Sequence, residues 1–366
     1  MTPAPAAVTL PDADTGAKRR WLPPGSVVAA FVVSRVLVYG TLATLVVVRH
    51  TAFADLVTLW DGRWYLQISA LGFTAPGPAG QSGLPFFPFL PGYIDLATWA
   101  AIPAWIAGLV LVNVAFAAAL WGLHVLMRRD RSDKVASASV WCLALFGYGV
   151  AFALVYPDAV VLAASVWAFV MIGRDRPTVG SDLVAALLCA LAASTRPNGI
   201  LVTVAVVFAI VWKQRQWLRA VLVSVPSVLV VGAWMLQLWV WTRDPFAFMA
   251  AKVGWHESTL IEVFDHSDWN TRFHLGAAIV AIAVVVWQWR KLEAAWLVLA
   301  GTYLVPSLAL GIVGLGRYTN TVFPVFVAAG EALAPRPQPV RAIVYAAGAV
   351  MTVAVSWNVL TSAWVP

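Results

Sequence analysis

Apolar runs of bilayer-spanning length recur from one end of this sequence to the other, and no soluble fold accommodates that pattern. About 20 helical residues cross the hydrocarbon core of a membrane. Eleven runs reach or approach that length: residues 26–48, 105–127, 135–154, 159–172, 183–194, 200–212, 220–241, 275–289, 294–313, 322–333 and 342–360. Hydrophobic residues are 61% of the chain and charged ones 11%, against roughly 45–50% apolar in soluble domains. The expected fold is an all-α polytopic membrane protein of about eleven transmembrane helices, without an internal repeat. Residues 1–25 are polar and rich in Pro and Ala, and read as a cytoplasmic tail without a fold of its own; residues 26–366 read as one integral membrane domain. Run 26–48 is too long for a signal-peptide core and lacks a small-residue cleavage site, so it is expected to stay as the first helix. Cys142 and Cys189 both lie inside apolar runs, which argues against a disulfide framework or a metal knuckle.

The net charge of +7 raises the question of a nucleic-acid partner, but the cations fall in short loops between runs: "RRDRSDK", "GRDRP", "KQRQWLR" and "RK". The positive-inside rule accounts for them, and no nucleic acid is expected. Placing these loops inside puts the N-terminus in the cytoplasm and the C-terminus outside. Sixteen of the 24 Lys/Arg then lie on the cytoplasmic side, Arg35 lies within the first run, and seven lie outside: Arg49, Arg63, Arg196, Arg243, Lys252, Arg272 and Arg317. The segment "FFPFLPGYIDLATWAAIP" (86–103) is apolar enough to cross. A crossing there would carry most later basic loops outside, so a re-entrant or interfacial helix is expected. It belongs to a first long outer loop, 49–104; a second spans 242–274. The expected location is the cell membrane, with membrane lipids as neighbours.

Five stretches on the outer side carry groups that can do chemistry. In "LWDGRWY", Asp61 sits among tryptophans, and Gly62 permits close backbone approach or an unusual dihedral. Partial desolvation would suit Asp61 to accept protons; the competing reading is a cap on an interfacial helix. In "VYPDAVV", Asp158 is either a second acid or ordinary punctuation at a helix start. In "ASTRPNGIL", Arg196 breaks the charge bias, so it either meets an anionic group near the membrane or snorkels to lipid headgroups. In "GLGRYTNTVFPVF", Arg317 again stands alone; guanidinium forks suit phosphate oxygens, and two solitary arginines fit one phosphate-bearing ligand. The fifth stretch, 242–270, holds Lys252, Trp255, His256, Glu257, Asp265, His266 and Asp268. A metal held by His266 with Asp265 and Asp268 is conceivable there, but no zinc spacing is present. Arg35, inside the first run, is expected to face the bundle and meet a polar partner. The chain has no glycine-rich phosphate loop, nucleophile elbow or kinase-type motif, which argues against cytosolic nucleotide hydrolysis.

These residues also resemble a known family. "LWDGRWYLQISALGF" followed by "PFFPFLPG" is similar to the signature of the GPI mannosyltransferase 2 family, the phosphatidylinositol glycan class V proteins, and of their bacterial relatives in the GT-C glycosyltransferase superfamily. "YPD", "STRPNGI", "TRDPFAF" with Trp255, and "RYTNTVFPVF" follow in the same order, over about Phe31 to Phe326. "YPD" departs from the family's more frequent Tyr-[Ser/Thr]-Glu, which leaves Asp158 less firmly assigned than Asp61. The resemblance implies a GT-C-type bundle and an inverting glycosyltransferase. Its donor would be a polyprenyl-phosphate-linked sugar, mannose by the family, and its acceptor a hydroxyl of a lipid or glycolipid outside the cytoplasm. It makes Asp61 the expected general base and Asp158 a second acid. Arg196, Arg317, Lys252 and His256 become candidates for the donor phosphate. Trp60, Arg63, Trp64, Tyr65, Asn198, Trp255 and Tyr318 become candidates for substrate contacts. Neither a metal nor another cofactor is expected, because a lipid-phosphate leaving group is already ionised. The alternative from another class is a transporter or flippase of a polyprenyl-linked or glycolipid substrate; the lack of paired halves and the acids gathered at one face favour an enzyme.

Overall fold

The computed structural model describes residues 23–74, 81–174, 177–252, 269–310, 312 and 314–364. It is helical throughout, with no strand among the described residues. The first helix, α1, runs Gly25–Arg49 and is followed by two short ones, α2 (Phe53–Val57) and α3 (Asp61–Leu71). Helix α4 (Phe89–Trp99) precedes the long α5 (Ala104–Asp130). Helix α6 (Asp133–Ala144) leads into a 3-10 segment, Gly147–Ala153. Helices α7 (Asp158–Ile172), α8 (Val179–Thr195) and α9 (Ile200–Ala209) follow, the last continued by a π-helical turn, Ile210–Gln214. Then come α10 (Trp217–Thr242), the single turn α11 (Ala247–Ala250), α12 (Trp269–Gln288) and α13 (Ala294–Leu310). The chain closes with α14 (Leu315–Asn320), α15 (Phe323–Leu333) and α16 (Gln338–Leu360).

Each of the eleven apolar runs finds a counterpart. Six helices are long and apolar enough to cross a membrane: α1, α5, the Pro197–Gln214 unit containing α9, α10, Trp269–Lys291 containing α12, and α16. The run 135–154 becomes α6 and the 3-10 segment, bent by 76° at the break between them. The other four are the shorter apolar helices α7, α8, α13 and α15. Large apolar side chains face outward along the bundle, among them Val36, Leu229 and Ile343, as lipid contact requires. By contrast the segment 86–103 yields only the 11-residue α4, about half the length needed to cross.

The bend after α6 explains the charge inside the first helix. A broken helix leaves carbonyls without partners, which is costly where water is absent. Arg35 supplies the donor: its Nη1 donates to the Phe152 carbonyl at 2.6 Å and to Asn113 at 3.3 Å, while its guanidinium lies 4.5 Å from the Phe116 ring. The main core, built around Phe116, Phe152, Phe169, Phe323 and Phe326, fills the middle of the bundle. A second core, including Trp64, Tyr65, Phe86, Tyr148 and Tyr156, lies beneath the start of α3.

Two ends follow from the ion pairs. Arg131 pairs with Glu331, Lys213 with Glu293, and Arg219 with Asp182; all lie where α5 and α15 finish and α8, α10 and α13 begin. Asp61, Asp158, Arg196 and Arg317 lie at the other end, where α7 begins, α8 finishes and α13 gives way to α14.

Candidate active site

Asp61 is the first residue of α3, and what precedes it is under strain. Trp60 sits at φ 56° and ψ −122°, a conformation that bulky L-residues rarely adopt and that is retained where the surroundings enforce it. The unusual dihedral expected at Gly62 therefore falls on Trp60; at Gly62 a Cβ would meet only ordinary contacts, the nearest at 3.6 Å. Two anchors hold the turn. The Trp60 indole N–H donates to the Val359 carbonyl at the end of α16, 3.2 Å away. The Asp61 backbone N–H donates to the Tyr156 hydroxyl at 3.2 Å, and that hydroxyl donates to the Leu59 carbonyl at 3.3 Å. Beside them the Val155 N–H donates to the Val57 carbonyl at 2.9 Å.

The Asp61 carboxylate does not cap its helix. Its Oδ2 accepts from Nη1 of Arg317 at 2.6 Å, across 256 residues of chain. Arg317 turns its Nε towards Oδ1 of Asp158 at 3.8 Å, and Asp158 Oδ2 accepts from Nη2 of Arg196 at 2.6 Å. Four charged residues thus alternate in one chain: Asp61, Arg317, Asp158, Arg196. Their aromatic mount is close by, with the Arg317 guanidinium 5.1 Å from the Tyr156 ring and 5.3 Å from that of Tyr318, which also lies 5.7 Å from the Arg196 guanidinium. The Asp158 side chain has no exposed surface and those of Arg196 and Arg317 have 9% and 10%, whereas 24% of the Asp61 side chain is exposed.

Burial opposes the charge on Arg317, but the carboxylates of Asp61 and Asp158 outweigh it and hold its pKa well above the usual arginine value. Tyr65 lies buried within the field of all four charges; burial, reinforced by the Asp61 carboxylate, pushes its phenol up, so it remains a neutral O–H. Removing one partner from a buried ion pair costs about 3–5 kcal/mol, because the other charge is stranded. Asp158 serves two guanidinium groups, so it is the centre of the site's charge balance.

Close backbone packing places both arginines. At Gly199, just past Arg196, a Cβ would stand 1.9 Å from the Ala192 carbonyl oxygen, so only glycine lets the "RPNG" turn fold against the end of α8. Helix α14 is seated in the same manner. The backbone N–H of Gly316 donates to Nδ1 of His274 at 2.9 Å, His274 stacks on Tyr148 at 4.5 Å, and a Cβ at Gly316 would strike that tyrosine ring at 2.3 Å. Asn320 completes the seat by donating to the Tyr148 carbonyl at 2.5 Å.

Asp61, Asp158, Arg196, Arg317, Tyr65 and Tyr318, predicted from separate stretches, therefore meet in one place. The anionic partner sought for Arg196 is Asp158 of its own chain. Trp64 is buried and stacked on Phe86, with ring centroids 5.8 Å apart; Arg63 is exposed and Asn198 half-buried. Lys252 stands half-buried just past α11. Trp255, His256, Asp265, His266 and Asp268 lie outside the described residues. Sequence reasoning did not single out Tyr156, Tyr148 or His274. Of these only Tyr156 left a signal, as the residue before Pro157 and Asp158. Among the described residues no three or more His, Cys, Asp or Glu are grouped to hold a metal, and both carboxylates here are engaged by guanidinium groups.

No protein-family model and no curated protein matches the chain. Its fold does have solved counterparts. The oligosaccharyltransferase of Archaeoglobus fulgidus in a complex with Zn and sulfate superposes over 92% of this chain and 52% of its own length, with a TM-score of 0.51 and 13% identity. An oligosaccharyltransferase AglB from the same archaeon, with an inhibitory peptide and a dolichol-phosphate, aligns over 93% of this chain and 56% of its own, with a TM-score of 0.53 and 11% identity. The apo form of the first of these enzymes gives a TM-score of 0.53 over 94% of this chain and 56% of its own, at 11% identity. The chain thus spans about half the length of these proteins and shares their fold over that part.

Proposed function

We propose that this chain is an inverting glycosyltransferase that moves a hexose from a polyprenyl-phosphate-linked donor to a hydroxyl of a lipid or glycolipid acceptor. One observation carries the reading: Asp61 and two arginines converge on a single, partly exposed ionic site at one end of a membrane bundle. The GT-C-type fold supports the reaction class. The solved archaeal neighbour with dolichol-phosphate bound supports a lipid-phosphate donor. The family resemblance of "LWDGRWY" and its companions points to mannose as the sugar.

The chemistry follows from the geometry. Asp61 accepts the proton of the acceptor hydroxyl as its oxygen attacks the anomeric carbon. The bond from that carbon to the phosphate oxygen breaks, and its electron pair leaves with the polyprenyl phosphate. Arg317, with Arg196 behind it, meets the charge gathering there. Tyr65 offers a neutral O–H to the sugar or the phosphate. The abundance of basic residues at the opposite end supports an extracytoplasmic site, by the positive-inside rule.

The test is transfer of labelled mannose from polyprenyl-phosphate-mannose in membranes, comparing the wild type with Asp61→Asn at equal protein level. Transfer should fall by about 10²–10⁴-fold, the usual contribution of a general base. Undiminished transfer in the variant would remove Asp61 from the mechanism.

A further inference from the structure

Two ion pairs of equal length hold the site together, and they are not equally free to open. Both measure 2.6 Å. The Arg196–Asp158 pair joins a guanidinium 9% exposed to a carboxylate with no exposure at all. Opening it would leave Asp158, which has no route to water, with only the Arg317 Nε at 3.8 Å. The Arg317–Asp61 pair differs on both sides. Asp61 is 24% exposed, so a freed carboxylate remains reachable by solvent and substrate. Arg317, once it lets go, still has Asp158 beside it: its Nε lies 3.8 Å from Oδ1 of Asp158, and both atoms lack a hydrogen bond in the present geometry.

Resting on the glycosyltransferase reading above, we propose that Arg317 is an exchange residue: it masks Asp61 in the resting protein and passes to the phosphate of the lipid donor when the donor binds. While the pair is closed, Oδ2 of Asp61 is occupied by the Arg317 Nη1–H at 2.6 Å, so an incoming hydroxyl cannot donate to it. The donor phosphate offers the fork an equivalent set of oxygens. Donor binding therefore frees the base, and the free base waits for the acceptor hydroxyl. The exchange requires only side-chain rotation, because the backbone on either side is pinned, by Tyr156 at Asp61 and by His274 at Gly316. Arg317 also holds the leaving group more tightly as the reaction proceeds, since breaking the sugar–phosphate bond turns a singly charged diester into a more highly charged monoester. The order of events is thereby fixed, with donor before acceptor.

The experiment is binding of farnesyl phosphate to the purified full-length chain in detergent micelles, with farnesol as the phosphate-free control. In the wild type the probe competes with Asp61 for Arg317. Asp61→Asn removes the competing charge, so it should bind farnesyl phosphate about 10-fold more tightly, a coupling within the usual range between linked sites. Asp61→Ser should show the same gain, which separates loss of charge from a new contact by the Asn amide. Arg317→Lys, which keeps the charge and loses the fork, should bind the probe more weakly than the wild type. If the wild type prefers farnesyl phosphate over farnesol but both Asp61 variants bind it equally well or less well, the exchange is overturned while the lipid-phosphate reading stands. If the wild type shows no preference for farnesyl phosphate, both are overturned.

Discussion

The two ends of the bundle carry charge in opposite ways. At the basic end Arg219–Asp182 and Arg131–Glu331 are partly sheltered, at 9% and 25% and at 26% and 10% exposed, but other pairs are wet: the Lys213 and Glu293 side chains are 66% and 33% exposed, and Arg128 and Asp133 are 46% and 70% exposed. Such pairs contribute about 0–1 kcal/mol each, since water already solvates both partners. Their arrangement follows from sidedness rather than chemistry. At the other end four charges lie in a single file with little access to water, on helices brought together from distant parts of the chain. Apolar packing of the same volume is often as stable as a buried ion pair, so the sheltered Asp158, Arg196 and Arg317 are in keeping with the transfer proposed above. Under the function proposed above, charge at one end serves orientation and at the other serves transfer.

The comparison can be broken at several points. Asp158→Ala should cost about 3–5 kcal/mol of stability by stranding the buried Arg196 guanidinium and leaving Arg317 with Asp61 alone, read as a lowered thermal transition in detergent; an unchanged transition would mean that the buried file carries no structural load. Gly199→Ala comes next. Its Cβ would stand 1.9 Å from the Ala192 oxygen, so the turn holding Arg196 must shift. About 1–3 kcal/mol of destabilisation is expected, together with a loss of the proposed sugar transfer that exceeds the loss of folded protein. Trp60→Gly sharpens the point about strain. Glycine accepts a positive φ without penalty, so the variant should fold with a stability change of about 1 kcal/mol or less yet lose transfer, because the indole anchor on Val359 is gone. Lys213→Ala, at the basic end, should move stability by less than about 1 kcal/mol and leave transfer unchanged. A large loss of transfer there would erase the contrast between the ends.

Much of this architecture was legible in the sequence because lipid imposes a length and a side. Residues 159–172 and 183–194 are short as spans, yet the alternation of basic loops still sorted Asp61, Asp158, Arg196 and Arg317 onto one end. The pairing among them was not legible. Asp61 and Arg317 are 256 residues apart, and such a contact leaves no periodicity or spacing to read. Hence Asp158, which read equally as a second acid or as punctuation before a helix, turned out to hold both arginines. The bend within 135–154 was hidden for a different reason. Hydropathy is continuous across it, and the side chain that satisfies the broken backbone, Arg35, comes from a helix about a hundred residues earlier. Likewise Gly62 attracted attention as the flexible residue, while tertiary contacts placed the strain on Trp60.

The span of the Asp61–Arg317 pair has a consequence for how the protein is made. Translation delivers Asp61 early, supplies Asp158 and Arg196 midway as a self-neutralising couple, and adds Arg317 only after α13 has been threaded. Until then the nascent site holds one carboxylate without its counter-ion. Insertion of α14 therefore balances the charge of the site, so a ribosome that stops short of it leaves a product electrically marked as unfinished.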